Sequence, residues 1–122
     1  MRLDRLGDRR TIVEGYLAFA FVVEPDGALG AGVYTGYQWD EVRTNAAVIP
    51  VRRWVEVEFI YDGRDTASLS LGGRPVAARY VPLGGVGSVE WPYGLNIGAW
   101  PDRDLRVFDG SIAEVRLWRL TR

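Results

Sequence analysis

The sequence contains no cysteine and no histidine. The absence of cysteine excludes disulfides, thiolate nucleophiles and zinc–thiolate sites. The absence of histidine removes the usual general base near neutral pH and the commonest metal ligand. Ser–His and Cys–His catalytic arrangements are therefore excluded, and we expect a protein without catalytic residues.

A basic surface is also missing. The chain carries 15 basic and 16 acidic residues, for a net charge of −1. Every basic residue is arginine, which we attribute to the codon usage of a GC-rich, bacterial genome and not to function. No basic cluster exceeds two neighbours, as in Arg9-Arg10 and Arg52-Arg53, so we expect no nucleic-acid partner.

Long hydrophobic runs are absent as well. The longest, residues 16–23, has eight residues and is too short to span a bilayer. It lies too far from the N-terminus for a signal peptide, and the first five residues are mostly charged. We expect no membrane span, but the sequence does not decide the compartment, because a trimmed secreted domain would look the same.

Length and composition predict one globular domain over residues 1–122. The chain is 48% hydrophobic and 25% charged, which is ordinary usage for a folded protein. A chain of this length can bury a core without disulfides or metals.

The pattern of apolar residues predicts an all-β protein. The 15 glycines and six prolines interrupt the chain at intervals too short for helices. Residues 54–61 show the clearest alternation, with Val57 and Phe59 on one face and Glu56 and Glu58 on the other. The prediction is six to eight antiparallel strands, with further strands over 16–23, 28–35, 66–71, 76–81, 94–100 and 112–120 and a loop over 82–94.

Five landmarks from Arg53 onward occur in a characteristic order. They are Arg53-Trp54-Val55-Glu56-Val57, Phe59-Ile60-Tyr61-Asp62-Gly63, Leu69-Ser70-Leu71-Gly72-Gly73-Arg74-Pro75-Val76, Leu95-Asn96-Ile97-Gly98 and Phe108-Asp109-Gly110-Ser111-Ile112-Ala113-Glu114-Val115-Arg116-Leu117-Trp118. This order resembles the laminin-G-like domains of the concanavalin-A-like lectin/glucanase superfamily. The resemblance implies an antiparallel two-sheet β-sandwich of the jelly-roll type. Within it, Trp54 should bury its ring, and Phe108, Ile112, Val115 and Leu117 should supply core.

The sequence departs from that family in two ways. Members usually begin with strands that precede anything matched here, so the chain is a fragment, a compact variant or a subunit that borrows strands from a partner. Many members also carry an aspartate before the Glu-Val of the last strand, in a region associated with calcium. Here Ala113 takes that place, so we expect no cofactor. Calcium stays open, because Asp102, Asp104 and Asp109 offer hard oxygen ligands.

Aromatic and polar residues in or beside the predicted loops suggest a binding site. Aromatic rings stack on the apolar face of a sugar, while Asp and Asn take its hydroxyls, and binding residues favour loops on a rigid scaffold. The candidate residues are Trp39, Asp40, Trp91, Tyr93, Asn96, Trp100 and Asp102. The alternative is that these aromatics pack against neighbours in the core or loops.

Three functions follow. The leading one is a non-catalytic recognition module for a glycan or a protein surface. The second is an accessory domain or small subunit of a larger, hydrolytic protein, or a homo-oligomer, since an unpaired sheet edge invites another chain. The third is a compact glycoside hydrolase using Glu56 and Glu58, which is disfavoured because Ile60 and Tyr61 stand where a third acid is needed.

Overall fold

The computed structural model describes residues 1–34, 39–62, 66–80, 94–100 and 106–118, and every regular element in these ranges is a β-strand. The ten strands are β1 (Arg2–Leu3), β2 (Arg10–Gly15), β3 (Phe19–Val23), β4 (Leu29–Tyr34), β5 (Trp39–Arg43), β6 (Val57–Tyr61), β7 (Thr66–Leu71), β8 (Arg74–Tyr80), β9 (Asn96–Ile97) and β10 (Gly110–Ser111). The prediction of six to eight undercounted them, because three strands have only two residues. The described part contains no helix long and apolar enough to cross a membrane.

Two antiparallel sheets form the two layers of the molecule. One has five strands in the order β5-β4-β3-β2-β9, and the other has three in the order β6-β7-β8. The sheets pack face to face, with the rings of Phe21 and Phe59 6.0 Å apart between them. Ala67 and Leu69 of β7 are buried in the same core. The predicted two-sheet sandwich is therefore confirmed.

A short ribbon joins the two ends of the described chain. In it, Arg2 pairs with Ser111 and Leu3 pairs with Gly110. A Cβ atom at Gly110 would collide with the backbone carbonyl of Arg2, so only glycine allows this approach. Arg2 and Leu3 also form isolated bridges to Trp54 and Val51, which attach the ribbon to the segment before β6.

The turn predicted after β3 is confirmed. The amide of Ala28 donates to Oδ1 of Asp26 at 2.9 Å, an Asx-type contact. Gly27 has a φ of +87°, which explains the glycine at this position.

Two predicted features differ from the structure. The alternation over 54–61 is confirmed, but Trp54 is 56% exposed, so the prediction that its ring is buried is wrong. The predicted closing strand over 112–120 is wrong for its described residues, since pairing stops at Ser111 where the two-residue partner β1 ends. Phe108, Ile112 and Val115 still pack against the core as predicted, whereas Leu117 is exposed.

Candidate binding site on the outer face of the five-stranded sheet

One row of residues crosses all five strands on the side of the sheet that faces away from the core. The pairing register places its members opposite one another: Asn96 on β9, Glu14 on β2, Ala20 on β3, Gly32 on β4 and Glu41 on β5. The flanking residues Val13, Phe21, Ala31 and Val42 belong to the core between the sheets. Because neighbouring residues of a strand point to opposite faces, the row lies on the outer face. We call it the outer row.

The middle of the outer row is nearly free of side chains. Ala20 and Gly32 separate Glu14 from Glu41, whose Cα atoms lie three strands, or about 14 Å, apart at normal strand spacing. A Cβ atom at Gly32 would lie 3.3 Å from Cγ of Glu41 and 3.4 Å from Cε3 of Trp39. Glycine therefore lets these two side chains close over the strand, a common reason for glycine within a sheet.

Glu14 is the most deeply buried acid of the row, with 0% of its surface exposed. Its Oε1 atom accepts a hydrogen bond from Nδ2 of Asn96 at 2.8 Å. Its Oε2 atom is buried without a hydrogen-bond partner among the described residues. Burial raises the pKa of Glu14, and the Asn96 hydrogen bond and the charge of Arg106 only partly oppose this. The neutral carboxyl is thus favoured relative to an exposed glutamate.

Arg106 stands beside the row in an unusual backbone conformation. Its φ is +54°, and its carbonyl accepts a hydrogen bond from the amide of Thr11 at 2.8 Å. Its guanidinium carbon lies 4.1 Å from the centre of the Trp100 ring, a cation–π distance. The Trp100 ring in turn meets Tyr16 edge-on, with centroids 6.1 Å apart. These contacts fix an aromatic–arginine stack next to Glu14.

Charged side chains complete the site. Nη2 of Arg9 lies 3.3 Å from Oε1 of Glu24 and 3.6 Å from Oε1 of Glu41. Burial and the charge of Arg9 lower the pKa of Arg106, and the carboxylates of Glu24, Glu14 and Glu41 act in the opposite direction. We call these five residues (Arg9, Glu14, Glu24, Glu41 and Arg106) the acid–arginine cluster. Its net charge is −1 with Glu14 ionised and zero with Glu14 protonated.

The structure brings some of the predicted ligand residues to this face. Asn96 belongs to the outer row, and Trp100 holds Arg106. Trp39 lies at one end of the face, with its ring 5.4 Å from that of Tyr34. Asp40 is buried on the opposite face of β5, the face that carries Val42. The remaining predicted residues, Trp91, Tyr93 and Asp102, lie outside the described residues.

The cluster residues Arg9, Glu14, Glu24, Glu41 and Arg106 were not predicted from the sequence as site residues. Two features of the sequence could have indicated the cluster. Glu14 is a charged residue at the end of the otherwise uncharged run Thr11-Ile12-Val13-Glu14, and Gly30 and Gly32 lie within one strand. A strand that needs two glycines on one face has something packed closely over it. Here that is Glu24, whose Oε1 would lie 3.0 Å from a Cβ at Gly30.

The other acids considered from sequence lie elsewhere. Glu56 and Glu58 are exposed, and Glu58 pairs with Ser70 on the three-stranded sheet. No group of three or more potential metal-binding side chains occurs among the described residues. Asp109 is held by Arg5, whose Nε lies 2.7 Å from its Oδ2. Asp102 and Asp104, the other oxygen ligands considered for calcium, lie outside the described ranges.

Comparison with known proteins agrees with this architecture. A family model, Laminin_G_3 of the concanavalin A-like lectin/glucanases superfamily, matches residues 1–122. No curated protein and no solved structure matches the chain significantly. Since the family model covers the whole sequence and the sandwich has the matching architecture, the chain belongs to the Laminin_G_3 family of the concanavalin A-like superfamily.

Proposed function

We propose that the domain is a non-catalytic recognition module that binds a carbohydrate on the outer face of its five-stranded sheet. The observation that carries the proposal is the group of hydrogen-bonding side chains over the outer row, of which Arg9, Asn96 and Glu41 remain accessible to solvent. Membership in a superfamily of lectin and glucanase domains is consistent with it. A protein surface is the other ligand class typical of such domains.

The aromatic rings around the row support a sugar ligand. Tyr34 and Trp39 stand at the β5 side of the face, and Tyr16 and Trp100 stand near β2. Aromatic faces pack against the C–H face of a pyranose ring, while carboxyl, amide and guanidinium groups take its hydroxyls. Both kinds of group occur on this one face.

The state of the carboxylates supports binding without catalysis. Glycoside hydrolysis needs one protonated acid and a second carboxylate free to act as base or nucleophile. Arg9 bridges Glu24 and Glu41, so neither is free for that role. Glu56 and Glu58 are both exposed, and Ile60 and Tyr61 stand where the hydrolase pattern needs a third acid.

A glycan array followed by calorimetry tests the proposal. We expect binding to at least one glycan, and about tenfold weaker affinity for Trp39→Ala and Trp100→Ala, the loss expected when a ring contact is removed. The control is Trp54→Ala, since Trp54 is a solvent-accessible tryptophan that bridges to Arg2 beside the β1–β10 ribbon and not to the outer row. An array without any bound glycan, or an equal loss for Trp54→Ala, would contradict the proposal and favour a protein ligand or an assembly role.

A further inference from the structure

Two polar groups on the outer face have unused hydrogen-bonding capacity. Oε2 of Glu14 is buried without a hydrogen-bond partner among the described residues. The Arg106 guanidinium stacks on Trp100 but forms no ion pair or side-chain hydrogen bond with any described residue. Buried polar groups are nearly always satisfied, so the unpartnered Oε2 atom of Glu14 calls for an explanation, and Arg106 is the cation whose charge acts on that carboxyl.

Local strain is found at the same place. Arg106 has a φ of +54°, a conformation that residues other than glycine adopt at a free-energy cost. A buried carboxyl group with one unsatisfied oxygen also lowers stability. Unfavourable features of this kind persist where they hold groups ready for a ligand.

The chemistry of these two groups defines what fits between them. A guanidinium only donates hydrogen bonds, whereas the Oε2 atom of a glutamate accepts when ionised and can donate when protonated. A sugar hydroxyl both donates and accepts, so a pair of adjacent hydroxyls can satisfy Arg106 and Glu14 together. The side-chain amide of Asn96 already occupies Oε1, which leaves Oε2 as the atom available to a ligand.

Charge selects among sugars. A uronate carboxylate placed at Arg106 would meet the charges of Glu14, Glu24 and Glu41, all of which act on that arginine. The ammonium group of an amino sugar would be repelled by the positive charges of Arg9 and Arg106. A neutral sugar is repelled neither by the glutamates nor by the arginines. Its hydroxyls form hydrogen bonds without adding a charge to the acid–arginine cluster, whose net charge is already close to zero.

We infer that Oε2 of Glu14 and the guanidinium of Arg106 form one contact site for a neutral sugar, binding two of its hydroxyls, and that this site makes the module select neutral glycans over uronates and amino sugars. The inference rests on the proposed function, since it names the ligand class of the same face. Glu14 is covered in the unliganded chain. Arg106 is held by stacking and not by an ion pair, so its displacement by a ligand breaks no charge pair among the described residues.

The experiment compares hexasaccharides of three charge types and then two pairs of variants. The probes are neutral cello-, laminari- and mannohexaose, oligogalacturonate as the anionic class and a chitosan hexamer as the cationic class. We expect at least one neutral probe to bind, and both charged classes to bind about tenfold more weakly or not at all.

The variants test the two contact groups with the best neutral probe. Arg106→Met keeps length and apolar contact with Trp100 but removes the donors, and Glu14→Leu removes the carboxyl, so each should weaken binding about tenfold or more. Glu14→Gln keeps an acceptor for Asn96 and a donor for the ligand, and should remain within about threefold of the original protein. Arg116→Met, at an exposed arginine paired with Glu114, is the control and should bind normally.

The outcomes separate this inference from the proposed function. Preference for oligogalacturonate or chitosan, or unchanged affinity in both Arg106→Met and Glu14→Leu, overturns the neutral-sugar site but leaves glycan binding intact. Absence of binding to every glycan overturns both. If Glu14→Leu fails to fold, as circular dichroism will show, Arg106→Met and Glu14→Gln decide the result.

Discussion

The outer faces of the two sheets differ in how far they are exposed to solvent. In the five-stranded sheet, all five residues of β3 are buried, which means that both of its faces are covered. In the three-stranded sheet, β6 alternates between half-buried and exposed residues, as expected when one face meets water. Val22 and Ile60 both point away from the core, yet Val22 is 1% exposed and Ile60 is 39% exposed.

The cover on the five-stranded sheet contains charged side chains. Glu24 lies against Gly30, Arg9 bridges Glu24 and Glu41, and Arg106 lies within electrostatic reach of all three carboxylates of the cluster. Apolar cover would stabilise the sheet more simply, because buried ion pairs lose hydration that their attraction barely offsets. This difference between the two sheets is the reason that the proposed binding site is placed on the five-stranded one.

The largest effect is expected where the two sheets meet. Phe21→Ala should lower the free energy of unfolding by about 3–5 kcal/mol, since the ring is buried against Phe59 of the opposite sheet. Denaturant unfolding followed by tryptophan fluorescence and by far-ultraviolet circular dichroism checks this. We expect one shared transition at lower denaturant. Two separate transitions would show that the sheets fold independently and that their difference reflects two units.

A smaller loss of stability is expected from truncating a side chain on either outer face, and its size should differ between the two sheets. Val22→Ala should cost about 2 kcal/mol because its side chain is enclosed, whereas Ile60→Ala should cost less than about 1 kcal/mol although it removes more atoms. Chemical denaturation of both variants gives the two values. Equal costs, or a larger cost for Ile60→Ala, would mean that the outer face of the five-stranded sheet is as open as that of its neighbour.

The smallest effect concerns pH. The pKa of Glu14 is raised in the folded state above its ordinary value of 4.5, so the folded protein binds more protons than the unfolded chain between those two pKa values. Stability must then fall as pH rises from 4.5 through the folded pKa. Glu14→Gln removes the ionisable group and with it this pH-dependent loss of stability. The variant should therefore melt at a higher temperature than the original protein near neutral pH, and the difference between the two melting temperatures should be smaller at about pH 4.5.

The control for the pH prediction is Glu58→Gln, at an exposed glutamate of the three-stranded sheet. It should leave the melting temperature at neutral pH close to that of the original protein, because its side chain stays in water in the folded state. A profile that Glu14→Gln does not alter would show that Glu14 is as well solvated as Glu58, and would remove the electrostatic contrast between the two sheets.

The same difference explains which strands could be predicted from the sequence. β6 alternates between apolar and polar positions, because one of its faces is exposed, and its pattern was visible. β2 was missed, since five of its six residues are buried and a register shift between Thr11 and Val13 interrupts any period. A strand covered on both sides has no polar face to reveal it.

Prediction of the site was limited for a related reason. Residue type alone suggested Trp39, Asn96 and Trp100, because aromatic and amide side chains are usual in sugar sites. Glu14 was not suggested, since a glutamate beside a turn normally points to solvent. Its burial depends on Asn96, 82 positions away in the chain, and such a pairing is set by tertiary structure and not by any local pattern.

The ribbon of β1 and β10 has a consequence for synthesis of the chain. Arg2 can pair with Ser111 only after almost the whole domain has been synthesised. Likewise, the hydrogen bond from Arg5 to Asp109 joins residues that are 104 positions apart in the sequence. At typical translation rates of about 5–20 residues per second, the first strand waits roughly 5–20 seconds for its partner. Until residue 110 is made, Leu3, whose side chain is buried in the finished core, can form its isolated bridge to Val51 but not its pair with Gly110. We therefore expect the β1–β10 ribbon to form only after residue 111 has been synthesised, later than the pairing of β2 with β3.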